Sequence, residues 1–279
     1  MDISINGKPA DIVPENEKTL GEILSGLEQW LKGSGHRLSG LTINGEKIDS
    51  PGMAGAFDRE LKNISCLDIS TSSWPELGAE ALIAARNTLE DWENASFDDK
   101  KRISEEWPGA AAARFISGEM IDLFPLLERA LAGEFPGPPE LLRIIDERLR
   151  EIADPRGEFF LAEKTIFSAA HRLEELPLDV QTGKDGRAAE TIQLFSNIAE
   201  KIFRLLYLLK FEGFSTENIT VDQVSAADFF DEFNTALKEL LAAYNAKDSV
   251  LVGDLAEYEL APRLRKLYGT LKDSLSIAA

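Results

Sequence analysis

In 279 residues the chain carries 30 basic against 49 acidic side chains, a formal charge of −19, with 44% hydrophobic residues, two histidines and one cysteine. That is apolar material for a sizeable core in one large or two ordinary domains, on a surface too acidic to neutralise nucleic-acid phosphates or to settle on anionic lipid. A lone Cys66 excludes an intramolecular disulfide and a cysteine-based metal site, no apolar run reaches the roughly 18 residues of a membrane helix, and Met1-Asp2-Ile3-Ser4 lacks the basic-then-apolar pattern of a secretory signal, so a cytoplasmic protein with no nucleic-acid or membrane partner is expected.

Residues 1–72 read as a small β-rich unit. Asn6-Gly7 separates Ile3-Ser4-Ile5 from Ala10-Asp11-Ile12-Val13, and Asn44-Gly45 separates Leu41-Thr42-Ile43 from Glu46-Lys47-Ile48. Asn-Gly favours the positive φ angles of a two-residue hairpin. Between the two hairpins a helix is predicted, opened by Thr19 with Glu22 three residues on and closed at Gly33. Leu20, Ile23, Leu24, Leu27, Trp30 and Leu31 form its apolar stripe. Ile64-Ser65-Cys66-Leu67-Asp68-Ile69 reads as the last strand, with Cys66 a small buried apolar residue.

This order of hairpin, helix, short strands and final strand resembles the β-grasp (ubiquitin-like) fold. Carrier members of that family end in a free Gly-Gly tail that is activated chemically. Here the last strand runs on into Thr71-Ser72-Ser73-Trp74, so the resemblance implies a binding or packing module and no carrier chemistry.

From Ser73 the period becomes helical. Ser73-Trp74-Pro75-Glu76 has the spacing of a capping box, Ser96 and Asp99 mark a second start, and Trp107-Pro108 marks a break. Ile116 to Leu131 reads as one helix kinked at Pro125, and Gly133-Glu134-Phe135-Pro136-Gly137-Pro138-Pro139 as a stop. Asp154-Pro155 opens a helix bearing Phe159, Phe160, Ile166, Phe167 and Leu173, and Ile192 to Leu209 is apolar on most sides, as the central helix of a bundle is. Thr220 and Gln223 frame a further start, and Asp248 caps the last helix. The expectation is an α+β protein: a β-grasp-like module over 1–72 and an irregular bundle of seven or eight helices over 73–279.

Catalytic constellations are sparse. His36 falls in the loop Gly33-Ser34-Gly35-His36, and His171 on a helix beside Arg172, Glu174 and Glu175. Neither has the spacing of a zinc hydrolase. Thr182-Gly183-Lys184-Asp185-Gly186-Arg187 has the glycines and lysine of a phosphate loop, but Asp185 follows the lysine and no strand precedes it, so it reads as an inter-helical loop. Asp254, Glu257 and Tyr258 sit at i, i+3 and i+4 with Glu259 beside them, and Arg263 or Arg265 is placed to offset their charge. Two carboxylates on one helix make an incomplete metal shell, so no metal or cofactor is assigned. Phe229, Phe230 and Phe233, with Leu206 and Tyr207, are the residues expected to line a groove that takes a partner helix, core packing being the plainer alternative.

Over 155–275, through Leu178-Asp179-Val180-Gln181-Thr182-Gly183-Lys184-Asp185 and Leu251–Leu260, the chain resembles an uncharacterised helical family of bacterial cytoplasmic proteins. That resemblance implies an association with flagellar or motility components. The function expected is that of a non-enzymatic interaction protein, a scaffold or chaperone-like adaptor with a protein partner. Two rivals stand beside it: a small-molecule or metal sensor or enzyme with its site at the module junction or at Asp254–Glu259, and a homo-oligomer joined through its apolar stripes.

Overall fold

Two Asn-Gly pairs fold the first strands back on themselves. Asn6 and Gly7 have φ of 51° and 72°, and Asn44 and Gly45 of 52° and 85°, the left-handed angles that this hairpin turn demands. The computed structural model describes residues 1–14, 16–33, 35–48 and 55–277. The strands are β1 (Asp2–Ile5), β2 (Lys8–Pro9), β3 (His36–Ile43), β4 (Glu46–Ile48) and β5 (Cys66–Ser73), in the order β2-β1-β5-β3-β4. β1 and β5 run parallel, Asp2 opposite Cys66 and Ile5 opposite Ile69, and every other pairing is antiparallel. Helix α1 (Leu20–Gly33) turns Leu20, Ile23, Leu24, Leu27 and Leu31 onto Ile3, Leu41, Ile43, Leu67 and Ile69.

Each turn asparagine is bonded to the central strand. Asn6 Oδ1 accepts from Thr71 N at 2.8 Å, and Asn44 Oδ1 accepts from Ser65 N at 2.8 Å and Cys66 N at 3.1 Å. β5 is therefore held near both ends by the turns of its neighbours. Three sequence expectations change in this region. His36 opens β3, paired with Ser73, instead of lying in a loop (Ser34 is outside the described residues). Cys66 faces solvent, because β5 alternates its faces and Leu67 and Ile69 take the inner one. Trp30 is 64% exposed and no part of the core.

After the sheet the described chain is helical apart from one short hairpin. α2 (Trp74–Asn94) starts with the expected capping box, Ser73 Oγ accepting from Glu76 N and the Glu76 carboxylate accepting from Ser73 N. Those bonds hold the Glu76 carboxyl below its usual value. Ser96 caps α3 (Phe97–Glu106). The helix expected over 116–131 is two, α4 (Ala111–Glu119) and α5 (Phe124–Leu131), with Pro125 in the first turn of α5, where its missing N–H costs nothing. α6 (Pro138–Ala153), α7 (Pro155–Leu161, capped by Asp154), α8 (Glu163–Gln181) and α9 (Asp185–Leu209) follow. β6 (Thr220–Val221) and β7 (Val224–Ser225) form a small hairpin where a helix start was expected, and Ser225 caps α10 (Ala226–Asn245) in its place. The last helix is α11 (Ser249–Asp254), a π-helical stretch (Leu255–Leu260) and α12 (Ala261–Ile277) in succession. The helices are thus more numerous and shorter than the seven or eight that periodicity suggests.

The chain divides into two compact units, Met1–Asp146 and Glu147–Ala279, the division falling inside α6. The change from strand to helix stands at Ser73–Trp74, and the unit that holds the sheet extends beyond it. There the Trp74 indole N–H donates to Glu119 at 2.9 Å and Arg37 of β3 lies 3.7 Å from the same carboxylate, which ties α4 to the end of the sheet. The second unit is organised round α9, whose Ile192, Phe195, Ala199, Ile202, Leu206 and Leu209 are buried, as the sequence predicts. Tyr268 is stacked on Phe159 with ring centroids 5.0 Å apart, and burial pushes its phenol up to about 12.

Candidate functional site

At 100° per residue, Ile23 and Trp30 fall on one border of the α1 stripe, with Gly26 just outside it and Leu27 nearer its centre. The centre of the stripe meets the sheet and this border is left beside the chain that leaves β2. A groove of about 480 Å³ lies here, lined by Ile5 of β1, by Ala10, Ile12, Val13 and Pro14 of the chain leaving β2, and by Ile23, Gly26, Leu27 and Trp30 of α1, with Glu17 and Glu22 at its end, where a second depression shares them. Trp30, and Val13 at 75% exposure, leave much of their apolar surface in water. Gly26 forms part of the wall, and a side chain begun there would meet no atom within 4 Å.

The acidic end is fixed by helix-start chemistry. The Glu22 carboxylate accepts from Lys18 N at 2.5 Å and Thr19 N at 3.2 Å, and those two bonds hold it below its usual value, ionised at neutral pH. A second, polar depression of about 650 Å³ shares Glu17 and Glu22 and adds Asn16, Thr19, Gly21, Ser25, Phe57 and Asp58. An apolar trough thus opens onto a carboxylate-lined basin, an arrangement suited to apolar side chains followed by a cation.

The residues singled out from sequence are dispersed. Asp254 immediately precedes the π-helical stretch, and Glu257, Tyr258 and Glu259 lie within it. The Glu257 charge, with a hydrogen bond between the two side chains, raises the Tyr258 phenol. Glu259 is paired with Arg263 at 2.9 Å, and Arg263 also reaches Glu232 at 3.0 Å. Arg265 belongs elsewhere: it holds Glu174 of α8 through both carboxylate oxygens and lowers that carboxyl. Phe229 and Phe233 are buried in the core of the second unit, Phe233 beside Phe195 and Phe230 edge-on to Phe203. Leu206 is buried with them, and Tyr207 lies partly open against Phe211. These aromatics supply packing, and the accessible groove lies instead on the N-terminal module.

His171 stands within 3.5 Å and 3.6 Å of Glu174 and Glu175 on its own helix. In the phosphate-loop-like segment Gly183, at φ 70°, ends α8, while Lys184 and Arg187 pair with the buried Asp179 at 3.6 and 3.3 Å. Its cations are thus already engaged. Among the described residues no group of three or more His, Cys, Asp or Glu is placed to hold a metal ion, and no helix is long and apolar enough to cross a membrane.

Two features escaped the sequence reading. The groove was legible only as an apolar position, Trp30, at the margin of its stripe. The other is an ionic cluster in the second unit. Lys201 donates to Glu147 at 2.6 Å and Glu158 at 3.1 Å, and Arg204 to both oxygens of the buried Glu151. Each of these groups is an ordinary charge in an amphipathic pattern, and only the meeting of α6, α7 and α9 reveals the cluster.

Residues 1–73 match the family model described as the TP0873 N-terminal domain. Residues 164–270, within the C-terminal helices whose sequence resembles an uncharacterised helical family, match a domain of unknown function, DUF8042. Over 267 residues the chain is 23% identical to an uncharacterised protein of Treponema pallidum (strain Nichols), an alignment covering 96% of this chain and 94% of that protein. No solved structure matches the chain. The groove-bearing module and the helices that carry the π-helical stretch are thus the two segments with family counterparts.

Proposed function

We propose that the chain is a non-enzymatic protein-interaction protein, an adaptor whose N-terminal module seats a short segment of a partner in the α1 groove. The segment carries two apolar side chains for the trough and a lysine or arginine for the Glu17–Glu22 end. The observation that carries this reading is the exposure of Trp30 and Val13, which line one apolar groove, since aromatic side chains left in water beside a concave apolar surface are the usual anchors of recognition. The strand order, with its parallel central pair and a helix across one face, supports reading the module as β-grasp. A cytoplasmic location belongs to this reading, and the motility association extends it on resemblance alone.

The test is a displayed-peptide selection against the full chain, followed by fluorescence anisotropy on the enriched sequences. Enrichment of peptides pairing two apolar residues with a flanking cation is expected. Gly26→Leu adds a side chain to the lining of the trough at a position where its Cβ meets no atom within 4 Å and improves helix propensity, so it should hold or raise the Tm while weakening binding at least about tenfold, some 1.4 kcal/mol. Enriched peptides whose affinity ignores both Gly26→Leu and Trp30→Ser would overturn the reading. So would a small molecule, found by thermal-shift screening, that fills the same groove.

A further inference from the structure

We propose a second docking surface, on the outer face of the π-helical stretch, that takes a cationic amphipathic helix of a partner protein. Leu255, Ala256 and Leu260 turn inward here, whereas Val250, Asp254 and Tyr258 follow one another every four residues on the opposite side, Val250 at 71% and Tyr258 at 66% exposure. Leu251 flanks that row. Leu178 of α8 is likewise 59% exposed, and the Pro177 before it lies 3.2 Å from where a Gly253 side chain would begin, so α8 and α11 approach closely there. Val250 to Tyr258 spans about two helical turns, the length over which a docked helix presents its i, i+4 and i+7 anchors.

Charge selects the occupant. Asp254 and Glu257 stand among these apolar side chains, and the neighbouring arginines are engaged elsewhere: Arg263 with Glu259 and Glu232, Arg265 with Glu174. Among the described residues neither Asp254 nor Glu257 has a cation within ion-pair distance. A second copy of the chain, formal charge −19, would set these carboxylates against their own counterparts across a two-fold axis. A helix with leucines on one side and lysines at its margins would bury the apolar row and neutralise the acids. A π-helical stretch is rare and recurs at functional positions; here it carries Tyr258 outward while the inward residues stay on the core.

The probe is a labelled 14-residue helical peptide of leucine and lysine in amphipathic order, with a scrambled isomer of equal charge, titrated by anisotropy against the full chain. Wild type should bind the ordered peptide at least about tenfold more tightly than the scrambled one. That preference should vanish in Val250→Ser/Tyr258→Ser, shrink about threefold in Asp254→Asn, and survive in Trp30→Ser, which alters only the α1 groove. All three variants alter exposed side chains only, and an unchanged circular dichroism melt confirms folding. Equal affinity for the two peptides would reduce the surface to bulk charge and overturn the proposal. So would loss of the preference in Trp30→Ser, or a dimer in light scattering that Tyr258→Ser dissolves.

Discussion

Arg204 grips Glu151 with two prongs, its Nε and Nη2 donating to the two carboxylate oxygens at 3.0 and 3.1 Å, while the Glu151 side chain is 1% exposed. A carboxylate so far from water is tolerable only with its charge matched and its lone pairs filled. Lys201, 3.5 Å away, adds a second cation. Arg204→Met should therefore cost about 3 kcal/mol, the low end for a broken buried pair because Lys201 remains. Glu151→Met/Arg204→Met together should cost clearly less than the two single changes added. Urea denaturation of the four proteins gives the coupling directly, and simple additivity would show that the pair is no unit.

Lys201 also sets a pH dependence. Burial raises the Glu147 carboxyl, but the Lys201 hydrogen bond and the charges of Lys201, Arg204 and Arg150 outweigh it and hold the group below 4.5. For Lys201 burial acts downward, and its bonds to Glu147 and Glu158 outweigh that and hold it above 10.5. The stabilisation from Glu147 is thus complete above its unfolded value and lost as pH falls below about 4.5. That from Lys201 is complete below its unfolded value and lost as pH climbs beyond about 10.5. In thermal melts from pH 3 to 11, the gap in Tm between wild type and Lys201→Met should be widest between these limits and narrow towards both ends. A gap that stays constant across the range would remove the ion cluster as its cause.

Asn44 combines a left-handed backbone with bonds to Ser65 and Cys66. Asn44→Ala loses both and should cost about 2 kcal/mol. Asn44→Gly keeps the backbone freedom and should cost about half as much. If glycine is no better than alanine, the turn angle contributes little and the bonds to β5 carry the effect.

What could be read from the sequence was whatever local chemistry decides. The Asn-Gly turns, the Ser73–Glu76 capping box, the Ser96 cap and the apolar run of α9 need only near neighbours, and each stands as expected. Where two solutions satisfy the same local pattern, tertiary contacts chose. Pro125 suits a kink or a first turn equally, and the chain breaks at Met120–Leu123 to use the second. Trp30 belongs to the stripe by period, yet it is left 64% exposed at the stripe's border, and that residue carries the candidate site. The partners of Asn44, and the meeting of Lys201 with Glu147, join positions far apart in sequence, which no periodicity encodes.

The turn between β6 and β7 is costlier than it needs to be. Asp222 and Gln223 have φ of 58° and 68°, and glutamine has no short side chain with which to offset a left-handed backbone. Asn-Gly, used at the two earlier hairpins, would suit the same turn. Gln223→Gly should stabilise the chain by about 0.5–1 kcal/mol, the strain relieved exceeding the flexibility added to the unfolded chain. Asp222, ion-paired with Lys266, is left in place. A fall in the urea midpoint would show that Gln223 makes a contribution outweighing its backbone strain.

Gly253 is the converse case, a helical glycine kept for lack of room. By propensity alone Gly253→Ala would gain up to about 1 kcal/mol in α11. The added methyl would stand 3.2 Å from Cβ and 3.4 Å from Cγ of Pro177, and that ring, fixed to the backbone of α8, has no rotamer by which to withdraw. Overpacking should outweigh propensity, for a net loss of about 1–2 kcal/mol. Pro177→Gly removes both of those carbons and restores a backbone donor inside α8, so Gly253→Ala in that background should become neutral or stabilising. The reversal of sign between the two backgrounds separates a close approach of two helices from any intrinsic need for glycine, and an equal loss in both would locate the constraint elsewhere.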